Sequence, residues 1–370
     1  MKKQKEKKQK KKKWKISFII KCSGILLLFL LLLFLIAFLW LHSYLEKINY
    51  QKSGMENGEP EQFVQEEESP EDQDASLQDS AAEEIAALEE RLQEQTSGME
   101  ELVFDENVFN ILLIGYDSRD KNSRGRSDTN ILVSVNRDTR EITMTSIMRD
   151  SYVAIPGHGN NRINAAYAYG GSSLLVETVE KNLQVSVDHY AAVNFYSFMD
   201  IIDMIDGVDI EVSDAEAEVM NRYIRELNRL EGCGEETDRL DTGGMLHLNG
   251  KQALAYTRVR YVGNADFERT QRQRTVLEKT FEKAKEMNLL ELSRLLERLL
   301  PEISTDMSER EILFFLLQGT SFFQYDLKSL RVPADGTYEA LRINGMEVLG
   351  IDLEKNRALL KEEVYGSGQD

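Results

Sequence analysis

The alternation of apolar and polar positions divides the chain before any single residue type is weighed. Residues 22–41 form an uncharged, mostly apolar run of 20 residues. At about 1.5 Å of helical rise per residue this run spans about 30 Å, one hydrocarbon core. It lacks the short apolar core and small-residue cleavage site of a removed signal peptide. It closes on Trp40, with His42 and Tyr44 just beyond, an interfacial ending. The pattern therefore predicts a retained membrane anchor over 16–45. From 46 to 103 the chain is polar, rich in Glu, Asp, Gln and Ser, with Pro60 and Pro70, and too poor in apolar residues to bury a core. Within it Ile85, Leu88 and Leu92 recur at helical spacing, which predicts a helix over 81–95. That helix reads as an amphipathic or self-associating segment or, more plainly, as part of an acidic extracellular stalk.

From 104 to 370 the pattern is that of a globular domain. Apolar runs predict strands over 108–120, 129–136 and 142–148, then a Gly/Asn loop and a helix within 156–183. Residues 187–212 read as strand, short helix and strand. This is the most apolar part of the domain, and it fits either ordinary core or a pocket for a long acyl or isoprenoid chain. Residues 213–245 read as a helix followed by an acidic, glycine-rich surface excursion. The alternating run ALAYTRVRYV (253–262) predicts a strand. Helices follow at about 268–288, 290–299 and 307–319, then a strand pair (327–334 and about 341–350) and a last helix over 353–364.

Charge is strongly segregated. The formal net charge is −19, yet the first 21 residues hold eleven Lys and one Glu, so the remainder carries −29. A basic tail over 1–15 ahead of an apolar run keeps that end cytoplasmic and sends the domain outside. An acidic remainder argues against nucleic acid as a partner. The two cysteines, Cys22 and Cys233, are far apart and define no disulfide framework, and the four histidines lack zinc spacing.

Against this background YTRVRYVGNADFERTQRQR (256–274) holds five arginines and no lysine. Like charges so close repel one another, and a fold keeps them together mainly where something anionic neutralises them. The alternative is a solvated, salt-bridged patch. Guanidinium forks match phosphate or carboxylate in bidentate fashion. In the strand reading Arg258 and Arg260 share one face. Asp266 lies near a helix N-cap, and Arg269 and Gln273 share a helix face at i and i+4. Strand ends deliver further charges: Asp117 and Arg119, Arg149 and Asp150, with Arg126 and Asp128 in the intervening loop. Asp117 and Asp128 offer two hard oxygen ligands for Mg²⁺ or Mn²⁺. Each of these acids, taken alone, also fits a cap or an arginine partner. No Gly-x-Ser-x-Gly elbow and no Walker loop occurs, so acyl-enzyme and ATPase chemistry lack a signature.

The segments NILLIGYDSR, GRSDTNILVSVN, TSIMRDSYVAIPG, RINAAYAYGG, IIDMIDGVDIEV, LNGKQALAYTRVR and DFERTQRQR occur in order. Together they resemble the LytR–CpsA–Psr family of membrane-anchored cell-wall enzymes. The resemblance implies an α/β domain with a central mixed β-sheet flanked by helices on both sides, behind an N-terminal transmembrane helix. It implies a phosphotransferase moving a glycopolymer (teichoic acid, capsular or other secondary polysaccharide) from polyprenyl pyrophosphate to a peptidoglycan hydroxyl. Metal ligands then fall on Asp117 and Asp128, and pyrophosphate ligands on Arg126, Arg149, Arg258, Arg260, Arg269 and Gln273. Arg119 and Asp266 lie on motif positions too. Asp128 or Asp266 is the candidate proton acceptor. Two departures stand out: Met148 where proline is commoner, and Glu268 where the motif is commonly DFGR. A lipid-pyrophosphate hydrolase would use the same clamp with water. A regulator acting through the Lys tail would leave the Arg/Asp set unexplained.

Overall fold

A computed structural model describes residues 49–50, 79–98, 101–117, 125–260, 265–288 and 303–366, with isolated positions between 291 and 301. The expected basic tail and apolar anchor lie outside these residues, as does most of the helix expected over 290–299. In chain order the elements are β1 (Asn49–Tyr50), α1 (Ala82–Thr96), β2 (Val108–Tyr116), β3 (Ser127–Asn136), β4 (Glu141–Ile147), β5 (Ser151–Ile155) and β6 (Gly159–Arg162). Next come α2 (Asn164–Leu183), β7 (His189–Asn194), α3 (Phe195–Met204), β8 (Val208–Val212), α4 (Asp214–Glu231), β9 (Gly244–Leu248) and α5 (Gly250–Arg258). The chain closes with α6 (Ala265–Glu286), β10 (Ser304–Thr305), α7 (Glu309–Phe322), β11 (Asp326–Val332), β12 (Tyr338–Ile343), β13 (Met346–Ile351) and α8 (Leu353–Leu360).

The apolar runs of β2, β3 and β4 form an antiparallel meander at the centre of a seven-stranded sheet, order β1-β10-β7-β2-β3-β4-β11. β7 joins β2 in parallel and β11 joins β4 in parallel, so the sheet is mixed, as expected. Their inward side chains meet α2, with Leu112, Leu132, Leu175 and Val179 all at 1% exposure or less. Each such side chain stabilises the fold by roughly 1.5–3 kcal/mol through burial. A four-stranded sheet (β12-β13-β5-β6) and a β8–β9 ribbon complete the domain. Asn110 ties its far end: it donates to Ser186 O and Tyr365 Oη, both at 2.8 Å, while Asn136 donates to Val364 O at 3.0 Å.

Several expectations are corrected. Residues 253–258 of the run read as a strand over 253–262 are instead the second half of α5, with Val259 its extended C-cap. Asn249 caps it: its side chain accepts from Gln252 N at 2.9 Å, and Gln252 Oε1 accepts from Asn249 N at 3.0 Å. The helix is buried on most sides (Ala253, Leu254, Ala255, Tyr256), so its apolar residues carry no helical stripe. The Gly/Asn loop contains β6, which pairs with the equally unexpected β5, and the surface excursion runs into β9 at its last two residues. The single run near 341–350 is a hairpin, β12–β13, turning on Asn344 (φ 52°) and Gly345 (φ 80°), the type I′ signature.

The largest correction concerns the stalk. Leu88 and Leu92 of α1 are 0% exposed and belong to the main core. Tyr152 donates from Oη to Glu89 at 3.1 Å, and Arg357 Nη2 donates to Gln95 O at 3.0 Å. The helix expected in a solvated spacer is thus an integral layer of the domain. Leu88→Ala is therefore expected to cost about 2–5 kcal/mol in a denaturant titration. A loss within about 0.5 kcal/mol, the usual scale for an exposed site, would return α1 to the stalk.

Candidate active site

The site begins with a register defect. β2 and β3 pair Gly115 with Thr129 and Tyr116 with Ser127, so Asp128 is an extra residue, a bulge. Bulges re-aim side chains and cluster near active sites. The loop ahead of it closes tightly: a Cβ on Gly125 would stand 1.6 Å from the Asp117 carbonyl oxygen, so only glycine lets the chain return here. Asp117, directly after β2, and Arg126, directly before β3, are thereby brought to the same sheet end as Asp128.

Asp128 accepts from Arg149 Nη1 at 2.6 Å, and Arg149 leaves the end of β4. Arg149 Nε lies 3.5 Å from Asp150, and Asp150 lies 3.4 Å from Arg162 Nη1 on β6. The side chains are mostly enclosed, 16% exposed for Arg149 and 27% for Asp128. Burial alone would raise the Asp128 carboxyl. The fields of Arg149, Arg269 and Arg258, with the Arg149 hydrogen bond, outweigh it and hold the group below the ordinary aspartate value. Arg149, at the β4 end, thus bonds the bulge carboxylate directly, and the charges of Arg258, at the α5 end, and Arg269, in the second turn of α6, act on the same group.

Arg258 is the last residue of α5. Its guanidinium lies 4.7 Å from the Tyr223 ring centroid and 5.8 Å from that of Phe195, with Glu226 Oε2 at 3.6 Å. Arg260 follows two residues later, half-buried, and Gln273 lies one turn beyond Arg269 on α6. Asp266 is in the first turn of α6, and Arg119 lies outside the described residues.

The five arginines of 256–274 separate here. Arg272, 4% exposed, is spent on Glu216, Glu268 and Val259 O. Arg274, 6% exposed, donates to Leu330 O and Gln271. Sequence reasoning did not assign Tyr223 and Glu226, which hold Arg258 from α4, a helix with no chemical motif of its own. Phe195 was read there only as core or acyl pocket. Among the described residues no three His, Cys, Asp or Glu stand together as a metal cluster.

A mixed sheet whose strand ends gather carboxylates and guanidiniums around a bulge aspartate defines an α/β protein with an arginine-lined site at one end of its sheet. The chain belongs to the LytR_cpsA_psr family, which matches residues 73–363. It is 31% identical over 247 residues to the polyisoprenyl-teichoic acid–peptidoglycan teichoic acid transferase TagU of Enterococcus faecalis, covering 62% of this chain and 76% of that protein. It is 30% identical over 271 residues to the regulatory protein MsrR of Staphylococcus aureus, covering 70% and 75%. Among solved structures it is similar to TagT bound to LI-WTA (28% identity, TM-score 0.56, 72% of this chain and 95% of that one). It is also similar to the LytR-CPS2A-psr protein YwtF (TagT) with bound octaprenyl pyrophosphate lipid (27% identity, TM-score 0.52, with the same coverage).

The depressed Asp128 carboxyl gives a test. A folded-state value below the 3.8 of a free aspartate means that its contribution is complete above the free value and is lost as pH falls through the lower folded one. Asp128→Asn should thus lower the thermal midpoint at pH ~7, with the gap to the parent protein narrowing as pH falls below ~5 and closing only once the lower folded value is passed. A gap of constant size across that range would show that the charge of Asp128 does not hold the arginines together.

Proposed function

We propose that this chain is a phosphotransferase that moves a glycopolymer from a polyprenyl-pyrophosphate carrier to a hydroxyl of peptidoglycan. The observation that carries the reading is that Arg149 bonds Asp128 and the charges of Arg258 and Arg269 act on the same carboxylate. The names of the relatives support it: a teichoic acid transferase in one case, a protein holding octaprenyl pyrophosphate in another. The anchored, outward-facing arrangement and the capsular or other secondary polymers expected above belong to the same proposal.

The chemistry follows from charge. The acceptor hydroxyl attacks the polymer-side phosphorus. The bond from that phosphorus to the bridging oxygen breaks, and polyprenyl phosphate leaves with the electron pair, giving a polymer–peptidoglycan phosphodiester. Such transition states call for positioning and neutralisation more than for a strong nucleophile. Arg149, Arg258, Arg260 and Arg269 bind the equatorial and bridging oxygens in this scheme, with Arg126 and Gln273 on the flanks and Arg119 a further ligand from the loop. Asp117 and Asp128 would hold Mg²⁺ or Mn²⁺, which would supply Lewis-acid neutralisation. Asp128 is a poor proton acceptor, because its arginine neighbours favour the ionised form, so the proposal assigns the hydroxyl proton to Asp266.

Arg149→Ala and Arg260→Ala are each expected to lower transfer from a polyprenyl-pyrophosphate-linked polymer to purified peptidoglycan by about 10²-fold or more, with folding retained in circular dichroism. Either variant with parental turnover would sink the assignment. Release of phosphorylated polymer without attachment, acceptor present, would make the protein a hydrolase. Chelation with EDTA should suppress transfer and added Mg²⁺ restore it; transfer indifferent to chelation removes the metal from Asp117 and Asp128.

A further inference from the structure

Arg272 reaches back from α6 with all three of its nitrogens engaged. Nε donates to Glu216 Oε1 at 2.7 Å, Nη2 to Glu268 Oε2 at 2.8 Å and Nη1 to the carbonyl of Val259 at 3.0 Å. The side chain is 5% exposed and that of Glu216 13%. Glu216 is itself fixed. Its second oxygen accepts from Ser213 N at 2.8 Å and Ser213 Oγ at 2.7 Å, the capping box that starts α4. Burial would raise the Glu216 carboxyl, yet the Ser213 and Arg272 contacts together hold it below its ordinary value.

Val259 lies between Arg258 and Arg260. It is the C-cap of α5, extended at φ −61° and ψ 118°, with its side chain fully buried. Its carbonyl belongs to the peptide plane that joins it to Arg260. Fixing that oxygen therefore fixes the direction in which Arg260 leaves the helix end. Arg258, on the other side, is held by Glu226, Tyr223 and Phe195. The two clamp arginines are thus set by separate supports, and Arg272 braces the peptide that leads into Arg260.

We infer that Arg272 is a positioning residue for the pyrophosphate clamp rather than a ligand of the phosphates, with Glu216 and Glu268 as its counter-charges. Two carboxylates already bracket this guanidinium. To turn toward a pyrophosphate it would have to abandon Glu216, which is enclosed and committed to a helix cap, and leave that carboxylate buried without its partner. The same geometry gives Glu268 a role. Where the resembled motif commonly has glycine, this chain has a carboxylate at i, i+4 from Arg272 and 43% exposed. It adds to the support set by Glu216. A clamp works only if its donors are held to within about half an ångström of the productive geometry, which second-layer contacts provide. This inference rests on the transferase reading above, so one arm of its test is independent of turnover.

That test uses the full-length protein in detergent micelles and the variants Arg272→Gln, Arg272→Lys, Glu216→Gln, Glu268→Gly and Arg260→Ala. Glu216→Gln keeps an oxygen for the Ser213 cap, so it guards against loss of folding in the Arg272 variants. In hydrogen exchange, the peptide covering Val259 and Arg260 is expected to exchange at least tenfold faster in Arg272→Gln and Glu216→Gln and to be unchanged in Arg260→Ala. In the transfer assay, Arg272→Gln, Arg272→Lys and Glu216→Gln should lose kcat by tenfold or more, with KM for the lipid-linked donor within threefold. Glu268→Gly should lose less than Glu216→Gln. Unchanged exchange in both Arg272→Gln and Glu216→Gln overturns the inference whatever the activity. So does a tenfold rise in KM or in the dissociation constant of octaprenyl pyrophosphate for Arg272→Gln while Glu216→Gln stays normal, since that marks a phosphate ligand. If the parent protein transfers nothing yet the exchange result holds, the function reading has failed and the positioning role stands.

Discussion

Mutual repulsion of guanidinium groups is the constraint around which this domain is arranged. Unit charges a few ångströms apart at a partly enclosed site interact by about 4 kcal/mol at an effective dielectric near 20. A fold that gathers Arg149, Arg258 and Arg269 must offset that with carboxylates placed almost as closely. Asp128 bonds Arg149 directly, and it sits at a bulge where β3 carries one residue more than β2 can pair. A regular strand would have sent that carboxylate to one face of the sheet along with its alternate neighbours. Sheet register and site electrostatics are therefore one feature, and the glycine that lets the loop return against Asp117 serves both.

The supporting charges lie further out and are of a different kind. Glu226 and the Tyr223 and Phe195 rings hold Arg258, Asp150 links Arg149 to Arg162, and Glu216 with Glu268 encloses Arg272. The acids among them come from α4, the β4–β5 connection and α6, so the acidic balance of the domain is no uniform coat. Part of it is a scaffold of counter-charges that lets a dense basic site fold before any anion arrives. Two-point fixing of this kind suits arginine better than lysine. One guanidinium bridges two carboxylates and a carbonyl at once, as Arg272 does, whereas an ammonium on a flexible stem presents a point charge.

Much of the fold was legible because it depends on burial along single elements. The runs of β2, β3 and β4 were found within a few residues of their limits, and the charged residues at their ends were named from position alone. What escaped depends on partners distant in sequence. ALAYTRVRYV alternates like a strand, but α5 lies against α3, α4 and α6 and is buried on most sides, which erases the helical stripe that periodicity needs. The Asn249–Gln252 capping box and the Asn344-Gly345 turn were local signals that would have identified α5 and the β12–β13 hairpin. The burial of α1 left no such trace. Two leucines in an acidic stretch look like a solvated helix until β5 and α8 are known to cover them. The Asp128 bulge is a property of two strands and cannot be read from one.

The arginine-rich stretch shows how far density alone can carry a site argument. All five arginines contribute equally to a charge count, and Arg269 is as buried as Arg272 and Arg274, yet the last two donate to fixed partners within the fold. Helical spacing already separates them. Arg272 has Glu268 four residues before it, and Arg274 has Glu278 four residues after it, whereas Arg269 has Ala265 and Gln273 at those positions. Setting aside arginines with a carboxylate at i±4 on the same helix leaves Arg269, beside Arg258 and Arg260 at the end of α5. Arg258 and Arg269 are two of the three whose fields reach Asp128. The informative quantity is thus the charge that local neighbours leave uncancelled, and in this chain it marks the sheet end where β2, β3 and β4 deliver their own acids and bases.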